Sequence, residues 1–212
     1  MAADTQGTRF DRRKARTRAA LIDAARTFIA DQGRTDVSIQ EITEAADVGF
    51  GSFYNHFKDK TELFEAAVET TLAEHAALVD ELLAGYDDPA EVFATSVRLT
   101  GRLQRANPAT VRILLHSGTS YLLSEHGIAP SVLRDLRAAA ADGQFDIDDP
   151  ELALATVGGA MLGLLQLLEA RPETDAGQAA DRLALDLLRM FGLTRKAAEK
   201  IVSRPLPELP AS

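Results

Sequence analysis

The chain is 212 residues long, 46% hydrophobic and 26% charged, carries a formal net charge of −9 and contains no cysteine. Its length accommodates one large domain or a small domain joined to a larger one, and the lack of cysteine excludes disulfides, thiolate zinc sites and cysteine nucleophiles. Alanine and leucine dominate while alternating Val, Ile and Thr is scarce, so the expected fold class is all-α.

The chain opens basic, with Arg9, Arg12, Arg13, Lys14, Arg16 and Arg18 against Asp11 alone in residues 9–18. Residues 1–60 carry ten basic and nine acidic side chains, and residues 61–212 carry thirteen and twenty-three. An acidic body with a basic front end suits a protein that touches a polyanion at one end only. The start shows no apolar stretch of the kind a signal peptide needs, and residues 1–13 are expected to form a basic flexible arm. A first helix follows from about Lys14 to Asp31, with Leu21, Ala25, Phe28 and Ile29 on one face, and it stops at Gly33.

Ser38 and Glu41 then form a capping box, in which the serine oxygen takes the amide of the third helical residue and the glutamate reaches back to the cap. Val37 and Ile42 occupy the staple positions around it, which predicts a short second helix over Ile39–Ala46. Asp47, Val48 and Gly49 leave room only for a tight turn before a third helical stretch, Phe50–Phe57. Asp59 and Glu62 repeat the cap pattern and open a long fourth helix, striped with Leu63, Phe64, Ala67, Val68, Thr71, Leu72, His75, Leu78, Val79 and Leu82 and ending near Gly85. Two short helices around a three-residue turn are the arithmetic of a helix-turn-helix unit.

In such a unit the second short helix lies in the major groove of DNA. The stretch GFGSFYNHFKDK, residues 49–60, has suitable residues for that place. Gly51 and Ser52 let the backbone approach closely, and Asn55 carries the paired donor and acceptor that matches adenine. Tyr54, His56, Lys58 and Lys60 offer donors to phosphate oxygens, and Phe53 and Phe57 are the expected inward anchors.

Prolines punctuate the remainder. Pro89, Pro108, Pro130 and Pro150 sit at first-turn positions and predict helices over 89–106, 108–116, 130–142 and 150–170, with a loop over 117–127. An amphipathic helix is expected over Asp175–Phe191, and the proline-rich residues 204–212 as a disordered tail. The uncharged run from Leu152 to Leu168 is at the lower end of membrane-span length. With Asp148, Asp149, Glu151 and Glu169 flanking it, it reads as a helix buried on all sides by its own protein. Arg98, Arg102 and Arg105 form a stripe expected to be solvated or salt-bridged, with an anionic ligand left open. The opposite stripe is Val92, Ser96, Leu99 and Leu103. Gly158, Gly159 and Gly163 in one helix imply close helix approach at a dimer face or a gap for a ligand. His75, His116 and His126 fit no metal spacing, and no nucleophile elbow, phosphate loop or spaced acid pair is present. No enzyme activity, metal or cofactor is expected.

The span from about Arg16 to Glu65 resembles the DNA-binding domain of the TetR/AcrR family of bacterial transcriptional regulators. The agreement falls at Ser38, Ile42, Ala46, Val48, Gly51, Tyr54, His56, Phe57, Lys60 and Leu63 without a gap. Thr43, Asp47 and Gly49 depart from the usual Ala, Gly and Ser. The resemblance implies an all-α chain: a helix-turn-helix DNA-binding domain over 14–60, then a helical effector-binding and dimerisation domain over 61–203. It implies phosphate contacts by Ser38, Tyr54, His56 and Lys60, base-edge contacts by Ser52 and Asn55, a thymine-methyl contact by Phe50, and backbone or minor-groove contacts by the arginine arm. It further implies a homodimer through helices 150–170 and 175–191, a near-palindromic double-stranded operator, and a small-molecule effector that releases a repressor. Ser96, Leu99, Thr100, Leu103, Leu115, Tyr121, Met161 and Leu165 are the candidate ligand contacts. A cytoplasmic, nucleoid-associated protein is expected, with no membrane partner. The competing expectation is a small-molecule-binding module or adaptor whose helix-turn-helix is vestigial.

Overall fold

The structure is a computed structural model that describes residues 4–121 and 127–207. Among these residues all regular structure is helical, in ten α-helices and one 3-10 turn. The chain forms two compact units that divide between Thr70 and Thr71, inside the fourth helix rather than at the expected boundary after residue 60.

The first unit holds α1 (Asp4–Gln32), α2 (Ile39–Ala45), α3 (Phe50–Phe53) and the opening of α4 (Lys60–Leu83). Helix α1 begins at Asp4, so the segment expected as a flexible arm is helical from that residue on. Arg9, Arg12 and Arg13 are good helix formers that extend a helix already nucleated by the apolar face behind them. Gly33, at φ 61°, ends it, with its N–H on the Ile29 carbonyl at 2.9 Å. The capping box forms as expected: Ser38 Oγ accepts from the Glu41 amide at 3.1 Å, and Glu41 Oε2 accepts from the Ser38 amide at 2.8 Å. Asp47 makes the turn with φ 52°, a conformation Asp tolerates better than most residues. Leu21, Ile29, Val37, Ile42, Phe53, Phe57 and Leu63 are among the buried side chains of the unit.

Helix α3 is shorter than the expected Phe50–Phe57. After one turn the backbone tightens, Asn55 N–H bonding to Ser52 at 3.3 Å and His56 N–H to Phe53 at 2.9 Å. Gly49 brings no side-chain cap to the first amides, and Gly51 and the aromatic residues favour the helix weakly.

The second unit is built around α5 (Pro89–Ala106), with α6 (Pro108–Ser117), a 3-10 turn (Gly118–Tyr121), α7 (Ala129–Ala141), α8 (Pro150–Ala170), α9 (Ala176–Met190) and α10 (Arg195–Val202). Asp88, Asn107, Asp149, Asp175 and Thr194 each cap a helix through a side-chain oxygen, which is how the loops stay short. Phe93, Phe145 and Phe191 meet in the core with ring centroids 5.1–5.7 Å apart. Helices α5 and α9 cross closely because position 101 is glycine: a Cβ there would lie 2.5 Å from that of Ala180.

Three expectations are corrected in this unit. Helix α10 was not anticipated; Thr194 caps it, and it buries Ala198 and Ile201. Arg204 does not begin a loose tail, because it pairs with Glu91 and Asp88 while its carbonyl accepts from Arg98 at 3.0 Å; residues 208–212 lie outside the described residues. Helix α8 is long and apolar enough to cross a membrane, yet only one face is buried, with Leu152 (65%) and Leu167 (40%) exposed. Gly159 and Gly163, for which close approach at a dimer face or a ligand gap was expected, meet nothing within the chain, since a Cβ on either would touch nothing within 4 Å.

The arginine stripe is structural. Arg98 Nε and Arg102 Nη2 hold the two oxygens of Asp181 on α9 at 2.7 and 2.9 Å, and Arg105 bonds the carbonyls of Pro172 and Thr174.

Candidate functional site

In the first unit, α2 and α3 present one polar and aromatic face. Phe53 and Phe57 are buried anchors, as expected, and Phe50 (53%) and Tyr54 (56%) are large side chains left in solvent. Tyr54 stands edge-on to both Phe50 and Phe53, with centroids 6.0 and 5.3 Å away, so its ring is held although the residue is exposed. Gly51, Asn55 and Lys58 are exposed, and Ser52 and His56 are half-buried.

Helix α1 adds charge to this face. The Arg18 guanidinium lies over the Phe57 ring, 5.1 Å from its centroid. Burial holds the His56 imidazole below its ordinary value, and the charges of Lys14 and Arg18 lower it further. A neutral His56 can still donate one ring N–H, and an approaching phosphate would offset the neighbouring cations.

Two expected phosphate ligands have internal partners. Lys60 Nζ donates to the Val37 carbonyl at 2.8 Å, tying the start of α4 to the segment before α2. The Ser38 hydroxyl donates to Glu41 Oε2 at 2.8 Å besides accepting the cap bond. Thr43, where the resembled family has Ala, is buried but satisfied by bonds to the Ile39 and Gln40 carbonyls.

In the second unit a cavity of about 100 Å³ lies among α4, α5, α6, α7 and α8. Ser96, Thr100, Tyr121, Met161 and Leu165 line it; Leu99, Leu103 and Leu115 do not. The lining stripe of α5 is Phe93, Ser96, Val97 and Thr100, spaced i, i+3, i+4, i+7. Leu99 and Leu103 are buried but lie off that stripe.

Most of the wall is apolar, and its polar points are few. Thr100 Oγ1 is 3.0 Å from Nε2 of buried His75 on α4, and burial pushes the His75 imidazole down to about 4. Asp135, only 7% exposed, lines the wall from α7, and burial raises its carboxyl against the lowering effect of Arg134. Asp135 escaped sequence reasoning, although a signal existed: it lies three residues after Val132 on the helical stripe that continues to Leu136 and Ala139, where an acid is out of place. Among the described residues no His, Cys, Asp and Glu group could hold a metal ion.

A helix-turn-helix unit with a charged, aromatic recognition face, followed by a helical unit that carries a largely apolar cavity, defines ligand-responsive DNA-binding regulators. Comparison with known proteins is specific. Residues 21–67 match the profile of bacterial regulatory proteins of the tetR family, and residues 88–204 match the tetracyclin repressor-like C-terminal domain. The chain belongs to the TetR family of transcriptional regulators, whose members regulate transcription rather than catalyse reactions. It is 26% identical over 195 residues to a probable acrEF/envCD operon repressor of Escherichia coli, covering 83% of this chain and 87% of the relative. Over 48 residues it is 44% identical to the regulator AcrR of Shigella flexneri, which spans 23% of this chain and 22% of that one. Among solved structures it is similar to RolR in complex with resorcinol, at 33% identity and TM-score 0.74, covering 93% of this chain and 98% of that one.

Proposed function

We propose that this regulator is a homodimeric repressor that binds a near-palindromic operator and leaves it when a small aromatic alcohol enters the cavity. The observation that carries the ligand class is the buried carboxylate of Asp135 in a mostly apolar, single-ring-sized space. A phenolic hydroxyl can donate to that carboxylate while its ring fills the apolar wall; a hydrocarbon would leave the carboxylate without the added donor. The solved relative that binds resorcinol supports the same class. Ser96, Thr100, Ser117 and Tyr121 are further polar contacts for a second hydroxyl.

In this reading Tyr54, His56 and Lys58 hold phosphates, Ser52 and Asn55 face base edges, and Phe50 packs on a thymine methyl. Ser38 and Lys60 act chiefly by fixing α2 and α4. Leu152, Gly159, Gly163 and Leu167 of α8 with Met190 of α9, all exposed in the single chain, are the natural centre of a two-fold contact with a second copy. A regulator that works on DNA acts in the cytoplasm.

The test begins with selection from a random double-stranded DNA pool, followed by titration of resorcinol and other phenols against the enriched site. Enrichment of a palindrome, and its release by a phenol, is the expected result. Tight phenol binding with only sequence-blind, salt-sensitive DNA binding would favour a binding module with a vestigial helix-turn-helix.

A further inference from the structure

Threonines inside the helices of this chain mostly turn their hydroxyls back on the backbone. Thr17, Thr27, Thr70 and Thr156 each donate to the carbonyl four residues earlier, at 2.6–3.1 Å, the usual way for a helix to occupy such a group. Thr100 on α5 does otherwise. Its Oγ1 lies 3.0 Å from Nε2 of His75 on α4, and both residues are buried. Thr100 also lines the cavity, so a buried imidazole reaches the cavity wall through this hydroxyl.

Burial keeps His75 neutral, with its ring pushed down to about 4, so it bears one N–H and one bare nitrogen. A bare imidazole nitrogen is more basic than a hydroxyl oxygen, which makes it the better acceptor of the two partners. With Thr100 donating to Nε2, the Thr100 oxygen keeps its lone pairs for the cavity. A phenolic O–H is a strong donor, and there it meets an acceptor whose own proton is occupied. The chain that results runs from ring O–H to Thr100 O–H to His75 Nε2, and bonds linked in this order strengthen one another. Ser117, another lining hydroxyl, donates instead to the Leu114 backbone carbonyl at 2.6 Å.

We propose that Thr100 and His75 form a second anchor in the cavity: Thr100 accepts one ring hydroxyl of the ligand, His75 is the positioning residue behind it, and Asp135 takes the other hydroxyl. The proposal rests on reading the cavity as the effector chamber. It adds a fixed point on α5 to the one on α7, and so a preference for a ring with two hydroxyls over a ring with one.

Calorimetric titration of the full-length protein with phenol, catechol, resorcinol and hydroquinone tests this. One of the three dihydroxybenzenes is expected to bind about fivefold tighter than phenol, the increment of one neutral hydrogen bond. Which isomer gains reports the spacing of the two anchors. Thr100→Val keeps the shape and removes the oxygen, so it should erase the gain and leave phenol within about twofold of the wild type; Thr100→Ser should retain the gain. His75→Phe keeps a ring on α4 without the acceptor, and should erase most of the gain with no further loss in combination with Thr100→Val.

Nitrogen-15 NMR of the wild type supplies a readout that packing alone would not move, and it stands whether or not the His75 variant folds. The shifts of the two ring nitrogens identify the bare one. With the favoured dihydroxybenzene bound, Nε2 of His75 should be bare and displaced in shift; with phenol it should stay as in the free protein. A His75 signal unmoved by the dihydroxybenzene, a proton on Nε2 in that complex, or equal losses of phenol and dihydroxybenzene in Thr100→Val would overturn the anchor and leave the chamber standing. So would a wild type that binds phenol as tightly as every dihydroxybenzene. Binding of none of the four compounds would remove the aromatic-alcohol effector itself, and the anchor with it.

Discussion

Asn55 and Lys58 are both exposed on the recognition face, but their chemistry predicts different losses. Asn55→Ala should relax preference for one base pair and cost about 1–3 kcal/mol on the specific site, leaving non-specific binding intact. Lys58→Ala should weaken all sequences alike and lower the salt slope by about one unit. A binding titration against salt on specific and scrambled duplexes separates the two; wild-type discrimination in the Asn55 variant would remove it from the base-reading set. Buried His75 makes a different kind of prediction. Its imidazole titrates at about 4 when folded, against 6.5 as its ordinary value, so the unfolded chain binds more protons between those values. Stability therefore falls as pH drops through that window, by up to about 3 kcal/mol, and is unaffected by this group above it. Chemical denaturation of the wild type and His75→Gln at pH 7 and pH 4.5 should show a flatter profile for the variant.

At the scale of elements, glycines separate contacts made within the chain from contacts made outside it. A Cβ at position 101 would overlap Ala180 and press on Leu164 at 3.2 Å, so Gly101→Ala should destabilise the second unit by about 1–3 kcal/mol despite the better helix propensity of alanine. Thermal unfolding measures this directly. Gly163 has nothing within 4 Å of its Cβ position, so Gly163→Leu should leave the single chain folded. If α8 meets its copy across that face, the same substitution should shift a dimer toward monomer in analytical ultracentrifugation; an unchanged dimer would move the two-fold contact elsewhere. The short α3 belongs to this scale as well. Its inward anchors Phe53 and Phe57 were legible from their spacing, yet the tightening after Phe53 depends on backbone bonds at Asn55 and His56, which side-chain pattern does not encode.

For the whole molecule, release from DNA requires a ligand that binds the released state better than the DNA-bound one, and only by that difference. A phenol in the cavity and operator DNA on the first unit must then weaken each other by the same factor. Calorimetric titration of the phenol with and without saturating operator should show the same ratio as operator binding with and without phenol. Equal phenol affinities in both titrations would mean that the cavity is uncoupled from DNA.

The sequence by itself determined the local features. The capping box at Ser38 and Glu41, the turn at Asp47, the prolines that start α5, α6 and α8, and the family pattern from Ser38 to Leu63 all act within a few residues, so they are readable in order along the chain. Tertiary structure decided what depends on distant neighbours. It directed the arginine stripe of α5 to Asp181 and Arg204, gave Lys60 an internal partner at Val37, and left Leu99 and Leu103 off the cavity wall. It also brought Asp135 to that wall. Such placements follow from which helices meet and at what rotation, a property of packing many side chains at once that no short stretch of residues carries.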